Sequence, residues 1–179
     1  MSPVVRDAEP RDVAAIVAIY NDVIDTSDAI WLDEHVTHAD RLAWYDEQVT
    51  AGFPVLVADD GTGAVAGYGS FGPFRTKAGY WPTVEHTIHV HRDHRGRGVG
   101  QALLDALVDR AVQDGRRVLV AGVDAGNHGS LRFHERNGFR EVARMPGIGR
   151  KFDRPVDLVL LQRDLPAPPS ADLATGATE

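Results

Sequence analysis

Apolar residues recur at two different periods along this chain, and the switches between them mark out its elements. Val4, Val5 and Arg6 open as a short strand. Asp7 offers a cap to a helix over residues 11–25, where Val13, Ile16, Val17 and Tyr20 return at helical spacing. A polar and aromatic connection over 26–37 leads to a second helix over 38–51. Residues 54–59 and 64–71 read as two strands of a hairpin across Asp60-Gly61-Thr62-Gly63. A third long strand is expected over 82–90. Val99, Leu103, Ala106, Leu107 and Ala111 then form an amphipathic face over 99–113, ended by Gly115. Residues 117–123 read as a buried strand, 127–137 as a short helix closed by Gly138, and 139–145 and 157–164 as two closing strands. The predicted order is βααβββαβαββ, an α/β chain with a mixed sheet. One domain is expected over residues 1–165. The tail over 166–179, small, polar and proline-rich, is expected to be disordered.

Composition narrows the chemistry. The chain has no cysteine, which excludes disulfides, zinc–thiolate sites and a cysteine nucleophile. No apolar run reaches the 18 residues that would mark a membrane span, and the opening residues lack an apolar signal core, so a cytoplasmic location is expected. The net charge of −7 argues against a general nucleic-acid binder, which needs a positive field. Basic patches persist locally, however, since six arginines lie between Arg92 and Arg117.

The richest of these patches is Arg95-Gly96-Arg97-Gly98-Val99-Gly100, placed between a strand and a helix. Glycines let backbone approach a ligand, and a helix start offers unpaired N–H groups to a pyrophosphate. A P-loop would require Lys-Ser/Thr where Gln101-Ala102 stands, and a dinucleotide fingerprint requires a different glycine spacing. Neither nucleotide fold fits.

Arg95-x-x-Gly98-x-Gly100 does resemble the Arg/Gln-x-x-Gly-x-Gly/Ala motif of the GCN5-related N-acetyltransferase family. Asn127-x-x-Ser130-x-x-x-His134, followed by Gly138-Phe139, resembles that family's second signature. Residues 54–58, 71–75, 83–86 and 149–152 with Asp157 further resemble the branch that acetylates phosphinothricin and methionine sulfoximine or sulfone. The resemblance implies the GNAT fold, a mostly antiparallel central sheet flanked by helices. It implies acetyl-coenzyme A as co-substrate without a metal, a small amino-acid acceptor acetylated on its α-amine by direct attack in a ternary complex, and a homodimer. Two other readings stay open: a protein N-terminal or lysine acetyltransferase, and a non-catalytic acetyl-coenzyme A sensor.

By resemblance, the cofactor would be held by backbone at Ile88, His89 and Val90, by the cradle Arg95, Gly96, Arg97, Gly98, Val99, Gly100 and Gln101, and by Asn127 and Ser130. A backbone N–H near Val90 would polarise the thioester carbonyl. An α-amine is mostly protonated at neutral pH, so a base is needed, and Glu85 is the candidate; the competing reading is a surface carboxylate on an edge strand. His134, one helical turn after Ser130, would protonate the departing thiolate if its imidazolium form is populated; its competing reading is a packed histidine bonding a backbone carbonyl. Arg75 would grip a substrate carboxylate, with Phe74, Tyr80 and Trp31 walling the pocket. His89 and Pro155 stand where relatives often carry Tyr and Trp, and both are expected to shape acceptor choice. Strand alternation puts Glu85, Thr87, His89 and His91 on one face and His86, Ile88 and Val90 on the other.

Overall fold

A computed structural model describes residues 3–167. Seven strands and four helices follow the predicted order: β1 (Val4–Asp7), α1 (Val13–Thr26), α2 (His38–Thr50), β2 (Val55–Asp59), β3 (Val65–Pro73), β4 (Thr83–Val90), α3 (Val99–Gln113), β5 (Val118–Asp124), α4 (His128–Arg136), β6 (Arg140–Lys151) and β7 (Arg154–Asp164). They build one sheet in the order β1-β2-β3-β4-β5-β7-β6. Only β4 and β5 run parallel; every other pairing is antiparallel.

The sheet buries both faces. On one face Leu103, Leu104, Leu107 and Ala111 of α3 pack against Leu56, Val84, Leu119, Ala121 and Leu161. On the other, Val13, Ile16 and Ile19 of α1 and Tyr45 of α2 cover Val55, Val57 and Tyr68. Alternation along β2 explains the division: Leu56 and Ala58 face α3 while Val55 and Val57 face α1. Gly67 and Gly69 allow α3 to lie close. A Cβ at Gly67 would stand 2.9 Å from the His89 carbonyl and 3.0 Å from Val99.

Three expectations need correction. Asp7 does not cap α1. It stays in β1 and pairs with Arg110, while a 3-10 turn at Pro10–Asp12 precedes the helix. Asp12, nearly buried, holds that turn by accepting from the Glu9 amide and from both terminal nitrogens of Arg6. The closing strands are also longer than the pattern suggested. Pro146 and Gly147 read as breakers, yet β6 absorbs them in a register shift between Met145 and Gly149. In β7, Arg154, Pro155 and Val156 pair with β6 alone, since β5 pairing begins at Leu158, so Pro155 sits where one sheet edge is open. Of the expected tail, residues 168–179 lie outside the described residues.

Candidate active site

The site begins where β4 and β5 part. Their pairing holds at Thr83–Val118, Val84–Leu119 and Glu85–Val120, then stops. Beyond it, Ile88, His89 and Val90 border one side of a gap and Ala121 to Ala125 the other, within a cavity of about 1620 Å³. The backbone of β4 is bonded to β3 on its outer side, so its gap-facing groups have no strand partner among the described residues.

At the end of this gap α3 starts. Gly98, at φ +83°, occupies the N-cap in the left-handed region and makes no side-chain cap, so the first-turn amides are left for a ligand. Gly96 shares the left-handed conformation, and a Cβ on either glycine would meet nothing within 4 Å. The cradle is therefore open as well as polar, which fits a pyrophosphate at the positive end of the helix. Arg95 reaches back to the Val90 carbonyl at 3.4 Å.

Two faces of the sheet communicate through the gap. On the α1–α2 side stand Glu85, Thr87 and His89. Opposite them, Arg41, Trp44 and Gln48 lie at spacings of three and four residues along α2 and line the same cavity. Burial pushes the Glu85 carboxyl above its ordinary value, and the positive charge of Arg75 partly opposes that. Gly122 gives this carboxylate its room, since a Cβ there would come within 3.0 Å of Glu85 Oε1. On the α3–α4 side, His86 is buried and neither of its ring nitrogens has a partner among the described residues. Its ring lies 5.2 Å from that of His134 and 5.5 Å from Phe139. Burial, with a smaller contribution from His134, pushes the His86 imidazole down to about 3.

Comparison with known proteins matches this arrangement. The Acetyltransferase (GNAT) family model matches residues 16–139. The chain belongs to the acetyltransferase (GNAT) family. It is 44% identical over 165 residues to an L-methionine sulfoximine/L-methionine sulfone acetyltransferase of Pseudomonas aeruginosa, covering 92% of this chain and 96% of that protein. Among solved structures, a GNAT superfamily phosphinothricin acetyltransferase from Sinorhizobium meliloti in complex with acetyl-CoA superposes with a TM-score of 0.89 at 30% identity, covering 96% of this chain and 95% of that one. A ribosomal-protein-alanine N-acetyltransferase from Brucella melitensis superposes with a TM-score of 0.88 at 38% identity, covering 90% of this chain and 99% of that one.

Within this GNAT framework, the expected cofactor residues gather around the gap, with one exception. Ile88, His89, Val90, Arg95, Gly96, Gly98, Val99, Gly100, Gln101, Asn127 and Ser130 all line the cavity, whereas the exposed Arg97 does not. Asn127 also has a structural task, since its side chain caps α4 by accepting from the Ser130 amide at 3.0 Å. The Gln101 side chain donates to Asp105 and Asn137, tying α3 to the end of α4.

His134 lines the cavity, but its protonation runs against the expected imidazolium acid. Its Nδ1 lies 2.8 Å from the Ser130 carbonyl, which can only accept, so Nδ1 carries the proton and a neutral ring keeps its lone pair at Nε2. Burial lowers the ring's affinity for a second proton, and the bond to Ser130 only partly offsets this.

The four expected substrate residues lie outside the cavity lining. Trp31 packs on β6, where only glycine fits: a Cβ at Gly149 would lie 2.3 Å from its ring. Phe74 and Tyr80 meet edge to face beyond the end of β3, with ring centroids 6.1 Å apart. Arg75 covers Phe74 and donates to its carbonyl at 2.7 Å, yet its charge is felt at Glu85. On the α1–α2 side the cavity is walled instead by Tyr20, Arg41, Trp44, Gln48, Tyr68 and Ser70. The sequence reasoning missed them; the spacing of Arg41, Trp44 and Gln48 on one helical face is the signal that could have found them. Among the described residues, no three His, Asp or Glu side chains converge as a metal site requires.

Proposed function

We propose that this chain transfers acetyl from acetyl-coenzyme A to the α-amino group of a small free amino acid, in the class of methionine sulfone, methionine sulfoximine and phosphinothricin. The observation that carries the reading is Glu85. It is a partly buried carboxylate beside the gap between β4 and β5, and it faces an acceptor pocket walled by α1 and α2. Acetyl-coenzyme A supplies an acyl group already activated as a thioester. Glu85, with its proton affinity raised by burial, takes the proton that an ammonium must lose before it can attack. The gap-facing N–H near Val90 polarises the carbonyl, and the walls of the gap fix its orientation. As the amine adds, the C–S bond breaks and coenzyme A leaves as a thiolate that takes its proton from solvent; neutral His134, its Nδ1–H held by the Ser130 carbonyl and its Nε2 buried, does not supply it.

Strand register places the rest. Gly72 lies opposite Glu85 and Pro73 opposite Val84, so Arg75 follows just past the Glu85 end of β4. With the amine at Glu85, an α-carboxylate is directed toward Arg75, in line with that residue's field at Glu85. The similarity to the Pseudomonas and Sinorhizobium enzymes supports this substrate class. We further assign the protein to the cytoplasm and to a homodimer. The second assignment is supported by β6, a long edge strand whose Val142, Ile148 and neighbouring Phe152 are exposed. Among the described residues, no helix is long and apolar enough to cross a membrane.

Initial-rate kinetics test the reading. Thiol release that requires a free amino acid and gives intersecting lines against both substrates is expected. Parallel lines would indicate an acetylated enzyme and overturn direct transfer. Release that needs no acceptor would overturn the acceptor assignment.

A further inference from the structure

The acceptor side of the cavity holds a cation that the mechanism above does not use. Arg41, half-buried on α2, lies between two aromatic rings, 4.1 Å from the Tyr20 centroid and 4.0 Å from the Trp44 centroid. Its only side-chain hydrogen bond among the described residues is a long one, 3.4 Å from Nη2 to the Tyr68 hydroxyl, and its buried Nε has no partner there. No carboxylate stands within ion-pair distance of it among the described residues. A guanidinium withdrawn from water without a counter-charge is costly, whereas two flanking rings hold it in one orientation. Next to it His89, edge-on to Tyr20, is pushed down to about 4 by burial and then by Arg41 and Arg95, so the imidazole is neutral and adds no competing cation.

We infer that Arg41 receives the distal oxygen of the acceptor's side chain, an anionic phosphinate or a strongly dipolar sulfone, and so sets specificity at the end of the substrate remote from the amine. This rests on the free amino-acid reading given above. Position supports it. Gln48 packs against Gly72, the residue opposite Glu85, whereas Arg41 sits at Tyr68, the residue opposite His89. Seven residues of helix separate these levels by about 10 Å. An amino acid with two methylenes before a phosphorus or sulfur oxygen spans roughly 5–6 Å from amine to oxygen. A hydrogen bond of about 2.8 Å at each end completes the distance. Glu85 for the amine and Arg41 for the far end of the side chain then stand at two levels along β4, both on the cavity lining.

The experiment compares kcat/KM for phosphinothricin, methionine sulfone and norleucine in wild type, Arg41→Met and Arg41→Lys. Methionine retains a flexible apolar stem between the rings, and lysine retains the charge without the planar fork. In Arg41→Met the phosphinothricin-to-norleucine ratio is expected to fall roughly ten- to hundredfold, the range for losing a hydrogen bond to a charged group. The sulfone ratio should fall less, and Arg41→Lys should recover part of the phosphinothricin ratio. The melting shift induced by acetyl-coenzyme A should survive in both variants. An equal loss on all three acceptors, or a lost acetyl-coenzyme A shift, would show that Arg41 serves the fold and overturn the inference. If Arg41→Met does not fold, an unchanged ratio in Arg41→Lys overturns it equally. Wild-type protein that acetylates none of the three overturns the amino-acid reading itself and this inference with it.

Discussion

His86 offers a quantitative test of the packing behind the site. The ring is 4% exposed, its two nitrogens have no partner among the described residues, and its imidazole is pushed down to about 3. In the unfolded chain the same ring titrates near 6.5. Between those values the unfolded state binds a proton that the folded state does not. The stability His86 contributes is therefore complete above pH 6.5 and lost as pH falls toward 3. From pH 7 to pH 5 the expected loss from this one residue is roughly 2 kcal/mol. Exchanging it for leucine removes the linkage and two unpartnered polar atoms, so the variant should be no weaker at pH 7 than a modest repacking cost. Urea unfolding of wild type and His86→Leu at both pH values, followed by tryptophan fluorescence, gives the double difference. The other titrating groups cancel in that difference. Wild type should lose about 2 kcal/mol more than the variant on acidification. Equal losses in both proteins would show that His86 is charged or solvated in the fold, refuting the dry contact with His134 and Phe139.

Three further outcomes follow from the site. Glu85→Gln should lower kcat about a hundredfold or more, with partial recovery at high pH where the amine arrives deprotonated; a near-wild-type rate at pH 7 would remove Glu85 from the chemistry. Gly122→Ala places a methyl group against the Glu85 carboxylate. Further desolvation raises its proton affinity, so the acid limb of the rate profile should move to higher pH, and an unmoved limb would separate the two residues. Gly98→Trp should abolish the acetyl-coenzyme A melting shift while costing about 1–2 kcal/mol from its left-handed backbone; a preserved shift would reject the cradle.

Much of this was legible in the sequence where local rules suffice. Helix α3 runs over Val99–Gln113 as expected, because its apolar period, the glycine before it and the glycine after it agree. The gap-side backbone of β4 at Ile88, His89 and Val90 was expected from the family resemblance, and alternation sorted the side chains of that strand onto the two faces. The acceptor wall was less legible, because it depends on which face of α2 meets the sheet. Arg41 and Trp44 announce a shared helical face, but only tertiary packing turns it toward Tyr68 and His89. Aromatic residues near the motifs, by contrast, suggested a pocket wall and went elsewhere: Trp31 to the seat left by Gly149, Phe74 and Tyr80 to each other. The extension of β6 through Pro146 and Gly147 depended on a bulge whose partner strand lies ten residues away. His134 shows the same dependence at one atom. Its place on α4 was readable, and so was the competing reading of a packed histidine bonding a backbone carbonyl; which carbonyl fixes the tautomer, that of Ser130, came from the packing.

The most direct test of the central claim is a competition. The protein is incubated with acetyl-coenzyme A and equal amounts of methionine sulfone, its carboxamide and a short peptide with a free N-terminal alanine, and the products are identified by mass spectrometry. The account predicts N-acetylmethionine sulfone as the dominant product, with the carboxamide disfavoured at least tenfold for want of a partner to Arg75. Dominant acetylation of the peptide, with methionine sulfone left untouched, would contradict it.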